Sequence, residues 1–277
     1  MINILCNGDS FTAGVELLDH LFTDWPGYIG VASHSERDIC KDWADKRYSR
    51  AMSYFKSYDR RIQAERAAAW PGYFSKFDPN INVVNIAHGG ASITGIANRT
   101  ILELSTNKST KFDFVFIQLT GSFRMEFYRA FNVTKQYMNE TPLGWIDRNL
   151  RDPNEKKIAN KYATTFKDVD FSIKYLYALV GLKYAVKGMT GITPIFLGSC
   201  TVWVRDWLLD PILKSDIYSK DPMIRSLIDE SGILNIADDD IMETTQIKNK
   251  FLYGPLNHFE PKCHEEFAKI IYDKYIK

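Results

Sequence analysis

Short apolar runs rich in β-branched residues recur along the chain at Ile2–Cys6, Ile81–Ala87, Phe112–Leu119, Thr193–Gly198 and Ile233–Ala237, separated by longer stretches of helical pattern. These runs predict five strands. Several are apolar at successive positions, as in parallel strands covered by helices on both faces, and the connections are long enough for crossover helices. The pattern predicts one flavodoxin-like α/β domain, a three-layer sandwich around a parallel five-stranded sheet. In such sheets ligands bind beyond the carboxyl ends of the strands. That directs attention to Gly8-Asp9-Ser10, His88-Gly89-Gly90, Thr120-Gly121-Ser122, Ser199-Cys200 and the segment from Asp238 to His258.

Two segments exceed what a crossover needs, about residues 19–69 and 123–168, and both are expected to be helical insertions. In the first, Trp43, Arg47, Arg50, Ala51 and Tyr54 recur at helical spacing, so one stripe packs while charges face water. Such a helix either lies solvated on the sheet or covers the site as a lid. The aromatic residues Trp43, Tyr48, Tyr54, Tyr128, Tyr137 and Trp145 serve as packing or as a surface for a sugar or acyl chain.

Composition narrows the partners. The 277 residues carry 35 Lys and Arg against 34 Asp and Glu, a formal charge of +1, so no net field recruits nucleic acid or an anionic membrane. The cysteines Cys6, Cys40, Cys200 and Cys263 form no C-x-x-C pair, which argues against a disulfide framework and a structural zinc site. The N-terminal apolar run stops at Asn7-Gly8-Asp9, too early for a secretory signal, and the stretch from Tyr175 to Cys200 is broken by Lys183, Lys187 and Pro194. A cytoplasmic location is therefore expected, and the sequons at Asn98, Asn107, Asn132 and Asn139 are read as chance matches.

The densest chemical signal is Asn7-Gly8-Asp9-Ser10-Phe11-Thr12-Ala13-Gly14, directly after the first strand. Gly8 permits a tight turn, and Ser10 falls at the start of a helix predicted from Phe11, where unpaired N–H groups favour an oxyanion. Ser10 is thus a candidate nucleophile; the plainer alternative is that Asp9 or Ser10 only caps the helix. With Asn85-Ile86-Ala87-His88-Gly89-Gly90-Ala91-Ser92, and with His258-Phe259-Glu260-Pro261-Lys262-Cys263-His264 near the C-terminus, the chain resembles the SGNH (GDSL-type) hydrolases over nearly its whole length.

The resemblance implies acyl transfer. Ser10 attacks an ester carbonyl, His258 acts as base and then acid, and the oxyanion is held by the amides of Ser10 and Gly90 together with Ser122. No cofactor and no metal are implied, and the substrate is a small-molecule or carbohydrate ester, since the family spans esterases, lipases, thioesterases and sugar deacetylases. Two positions depart from the family's pattern. Its third block has Gly-x-Asn-Asp where this chain has Thr120-Gly121-Ser122-Phe123, so Ser122 stands for the oxyanion-binding Asn, with Arg124 or an amide near Gly121 as substitutes. The family's Asp two or three positions before the histidine is replaced by Leu256 and Pro255, which leaves Asp238, Asp239, Asp240 or Glu260 as possible orienting groups for His258.

Removing an oxyanion donor costs about 3–4 kcal/mol of barrier, so a slow or specialised enzyme is expected. The alternative from another class is a catalytically inactive SGNH-like binding or structural module. His258, Cys263 and His264 have no further ligand cluster to complete a zinc site, and neither a dinucleotide fingerprint nor a P-loop is present.

Overall fold

The computed structural model describes residues 1–21, 49–51, 53–122, 124–127, 139–142, 153, 157, 168–253 and 258–277. Much of the two expected insertions therefore lies outside the described residues, including Trp43, Tyr48, Tyr128, Tyr137 and Trp145. In chain order the principal elements are β1 (Ile2–Asn7), α1 (Ser10–Ala13), α2 (Tyr58–Ala68), α3 (Trp70–Phe77), β2 (Ile81–Asn85), α4 (Ile93–Thr106) and β3 (Phe114–Gln118). They continue with β4 (Arg124–Phe127), β5 (Asn139–Pro142), α5 (Asp168–Thr190), β6 (Ile195–Leu197), a π-helix (Val202–Leu209), α6 (Pro222–Ser231), α7 (Met242–Asn249) and α8 (Pro261–Tyr275). The chain divides into two compact units, residues 1–89 with 237–277, and residues 90–236.

In the first unit β1 and β2 pair in parallel, Ile2 opposite Ile81 through Cys6 opposite Asn85. Ile4, Leu5, Cys6 and Asn7 are all inaccessible, so β1 is buried on both faces along its second half, as the consecutive apolar residues Ile4, Leu5 and Cys6 predict. The core continues into α3 and α8. Trp70 stacks edge-on against Phe267 and Phe74, with ring centroids 5.6 and 5.5 Å away. At the start of α3 the Trp70 N–H has no helical carbonyl to reach, and it donates instead to Nδ1 of the buried His264, 3.1 Å away.

In the second unit β3 and β6 pair in parallel, Phe116 opposite Ile195. Helix α5 buries Tyr175, Leu176 and Leu179 in a cluster with Ile93, Leu119, Leu208, Ile224 and Ile228. Here β4 and β5 pair antiparallel, Arg124 opposite Pro142. Helix starts follow local chemistry: the Ser92 Oγ accepts the Gly95 N–H, and Asp221 accepts the Met223 N–H ahead of Pro222. The parallel strands described number four, not five. Ile233–Ala237 is not a strand: Gly232 ends α6 in the left-handed region at φ 72°, and Ile233–Asn235 is a 3-10 turn that places Ile233 in the apolar cluster. No helix among the described residues is long and apolar enough to cross a membrane.

Candidate active site

Ser10 opens α1, a single turn, one residue before the predicted start. Asp9 caps it by accepting the Phe11 N–H at 3.1 Å, and Ser10 itself is 7% exposed. Gly14 ends the turn at φ 74°; a Cβ there would lie 2.2 Å from the Glu65 carbonyl oxygen, so helix α2 requires glycine at this position.

The segment after β2 is tied to this turn by several bonds. The Ile86 N–H donates to the Cys6 carbonyl at 2.9 Å and the His88 N–H to the Gly8 carbonyl at 3.3 Å. The Asn85 amide nitrogen donates to the Thr12 carbonyl at 2.8 Å, and its oxygen accepts the Ala87 N–H. Arg66 sends Nε and Nη2 to the Ala87 carbonyl at 2.9 and 2.6 Å. As a result Gly89 lies against the Ser10 segment: a Cβ built on it would be 3.9 Å from Ser10 Cβ and 3.1 Å from a Val15 methyl. A cavity of about 210 Å³ opens beside it, walled by Ala13, Val15, Ile62 and Ala87, with Arg61 and Glu65 on its polar side. The next residue, Gly90, sits in the left-handed region at φ 82°, a conformation that favours glycine.

His258 comes from the other end of the chain. Its ring centroid lies 5.2 Å from that of Phe11, the residue next to Ser10, while Phe259 stacks on Phe11 at 4.8 Å. Its Nδ1 is 3.0 Å from Oε2 of Glu16, and the same oxygen accepts the His258 backbone N–H at 3.3 Å. Glu16 is wholly inaccessible and is one of three non-glycine residues with positive φ, at 72°, among the described residues.

The sequence candidates for orienting His258 have other partners. Asp240 is buried and accepts from Lys274 Nζ at 3.0 Å and from the Tyr275 hydroxyl at 3.1 Å. Asp239 pairs with Lys248 at 2.9 Å, and Asp238 is exposed in the same 3-10 turn. Glu260 caps α8 and accepts the Leu252 N–H at 2.8 Å. Pro255 and Leu256 lie outside the described residues. The contact with Glu16 spans 242 positions, far beyond the few residues that a motif's spacing covers. The available signal was a lone carboxylate inside the apolar run Ala13-Gly14-Val15-Glu16-Leu17-Leu18.

Ser122 belongs to the second unit. Its hydroxyl donates to the Trp207 carbonyl at 2.7 Å, and Ser172 donates to the same oxygen at 3.0 Å. Ser122 and Ser172 thus converge on one carbonyl of the π-helix. With its only proton committed to Trp207, Ser122 presents lone pairs rather than a donor. In this arrangement it does not replace the Asn amide of the third block.

The three C-terminal residues that hinted at a metal face different partners. His258 meets Glu16, Cys263 donates its thiol to the Met242 carbonyl, and His264 accepts from Trp70. Burial, with a smaller contribution from the neighbouring His258, pushes the His264 imidazole down to about 3, so the ring is held neutral. Burial raises the Cys263 thiol.

No protein-family model and no curated protein matches the chain. Among solved structures it is similar to a member of the lipolytic protein G-D-S-L family from Veillonella parvula DSM 2008, at 11% identity and a TM-score of 0.42 over 100% of both chains. It is similar as well to a lipase/acylhydrolase from Enterococcus faecalis, at 14% identity and a TM-score of 0.39 over 99% of this chain and 95% of that one. An acetylxylan esterase from Geobacillus stearothermophilus, solved as a catalytic mutant, gives 13% identity and a TM-score of 0.36 over 98% and 93%. These three solved structures are thus described as a G-D-S-L-family lipolytic protein, a lipase/acylhydrolase and an acetylxylan esterase, and the α/β character of this chain rests on its own parallel strands.

Proposed function

We propose that the protein is a serine ester hydrolase with Ser10 as nucleophile and His258 as the base that serves it. As the Ser10 oxygen bonds to the ester carbonyl carbon, its proton passes to Nε2 of His258. That proton then leaves with the alcohol as the ester C–O bond breaks. Water attacks the acyl-serine, gives a proton to the same nitrogen, and Ser10 is released with the free acid. The N–H groups of Ser10 and Gly90 are the oxyanion donors in this reading, with no contribution from Ser122 and no cofactor.

The observation that supports the proposal is the position of the His258 ring, brought from the far end of the sequence to 5.2 Å from the ring of Phe11, the neighbour of Ser10, with Nδ1 bonded to Glu16. The substrate in this reading is a small-molecule or carbohydrate ester. One observation favours the second reading, an inactive binding module: the Ser122 hydroxyl is committed to Trp207 and does not serve as the third oxyanion donor. Release of nitrophenol from a short-chain nitrophenyl ester separates the two. The hydrolase releases it, and Ser10→Ala lowers the rate by at least about 10³-fold; equal rates for wild type and variant favour the module.

A further inference from the structure

We infer that Glu16 is the positioning residue for His258, so that the orienting acid, absent from the histidine's own block, is supplied by the segment that carries the nucleophile. The inference rests on the ester hydrolase reading and adds a residue to it.

Three observations lead there. Among the described residues the carboxylate against the His258 ring is that of Glu16, at 3.0 Å, while Asp239, Asp240 and Glu260 are bonded to Lys248, to Lys274 with Tyr275, and to the Leu252 N–H. One oxygen of Glu16 takes both the ring and the backbone N–H of His258, so a single group fixes the position of the segment and the rotation of the imidazole. Finally, Glu16 keeps a left-handed backbone at φ 72°, a conformation that costs a non-glycine residue on the order of 1–3 kcal/mol and persists where the surroundings dictate it.

The chemistry follows from the partner. An ionised carboxylate only accepts hydrogen bonds, so Nδ1 carries the proton and Nε2 offers its lone pair to the Ser10 hydroxyl. When Nε2 takes that proton, the resulting imidazolium lies against a fully buried anion, where the attraction is stronger than in water. Nucleophile and acid are then both encoded between residues 10 and 16, and the histidine alone arrives from the C-terminus.

The experiment uses the full chain as wild type, Glu16→Gln and Glu16→Gly. It reads kcat and KM on nitrophenyl acetate, and the His258 ring nitrogens by long-range ¹H–¹⁵N spectra at neutral pH. The amide of Glu16→Gln keeps the shape without the charge, and Glu16→Gly accepts φ 72° without strain, so a folded variant is in hand if the first one unfolds. The expected result is a kcat lower by about 10²–10⁴-fold with KM changed by less than about threefold, and a His258 proton on Nδ1 in wild type that loses this preference in the variants. Wild-type kcat in a folded variant, or a wild-type ring protonated on Nε2, overturns the inference. If the wild type hydrolyses no ester, the hydrolase reading fails, and the spectrum alone decides whether Glu16 sets the tautomer of His258.

Discussion

Both units bury hydroxyls and amides, but among the described residues the first alone also buries carboxylates and an imidazole. Among the described residues, every carboxylate and imidazole that is fully buried, namely Asp9, Glu16, Asp19, Glu65, Asp240 and His264, belongs to the first unit. The second unit buries hydroxyls and amides, among them Ser92, Thr100, Gln118, Ser122, Ser172 and Ser199, and keeps ion pairs such as Lys214 with Asp210 and Lys220 with Asp216 at its surface. Burying an ionisable group is costly unless a specific partner receives it, so a unit that does this repeatedly has its side chains fixed by bonds as well as by packing. The second unit is an apolar scaffold whose buried hydroxyls donate to backbone carbonyls, as at Trp207.

Acid should therefore separate the units. His264 is neutral in the folded state with its imidazole lowered to about 3, whereas in the unfolded chain it titrates near 6.5. Below that upper value the unfolded chain binds a proton that the folded one refuses, so stability falls as pH drops through the window and levels off near the lower value. The slope from this one group approaches about 1.4 kcal/mol per pH unit. In His264→Asn the amide oxygen can still accept the Trp70 N–H but does not titrate, so denaturant midpoints measured from pH 7 to 4 should fall less steeply than in wild type. Parallel slopes for the two proteins remove His264 from the account.

A smaller effect is expected from the second unit. Ser122→Ala leaves the Trp207 carbonyl one of its two hydroxyl partners, so stability should drop by about 1 kcal/mol or less. Because the lost hydroxyl proton points at Trp207, ester hydrolysis should change by less than about threefold. A loss of 10²-fold or more would mean that the hydroxyl turns toward the oxyanion during turnover, and would return Ser122 to the site.

How much of this was legible in the sequence depends on the range of the interaction. Four of the five predicted strands formed, whereas β4 and β5 pair in a stretch expected to be a helical insertion, and the turn that carries Ser10 showed itself through Gly8, Asp9 and Gly14. Ile233–Ala237 misled because a short apolar run has no periodicity of its own: the same residues serve equally in a 3-10 turn, and the helix stop at Gly232 decided between them. His258 was readable from its block, but its partner was not, since spacing rules look a few residues away and Glu16 lies 242 positions back. Ser122 was misjudged for a related reason. What its hydroxyl does depends on the Trp207 carbonyl, 85 positions downstream, which only the folded chain brings to it.

The most direct test of the central claim is covalent capture. Incubated with a fluorophosphonate and digested for mass spectrometry, the wild-type protein should carry one adduct, on Ser10, and His258→Asn should form it at least about 10²-fold more slowly. No adduct on Ser10, or the same labelling rate without the imidazole, would contradict the pairing of these two residues.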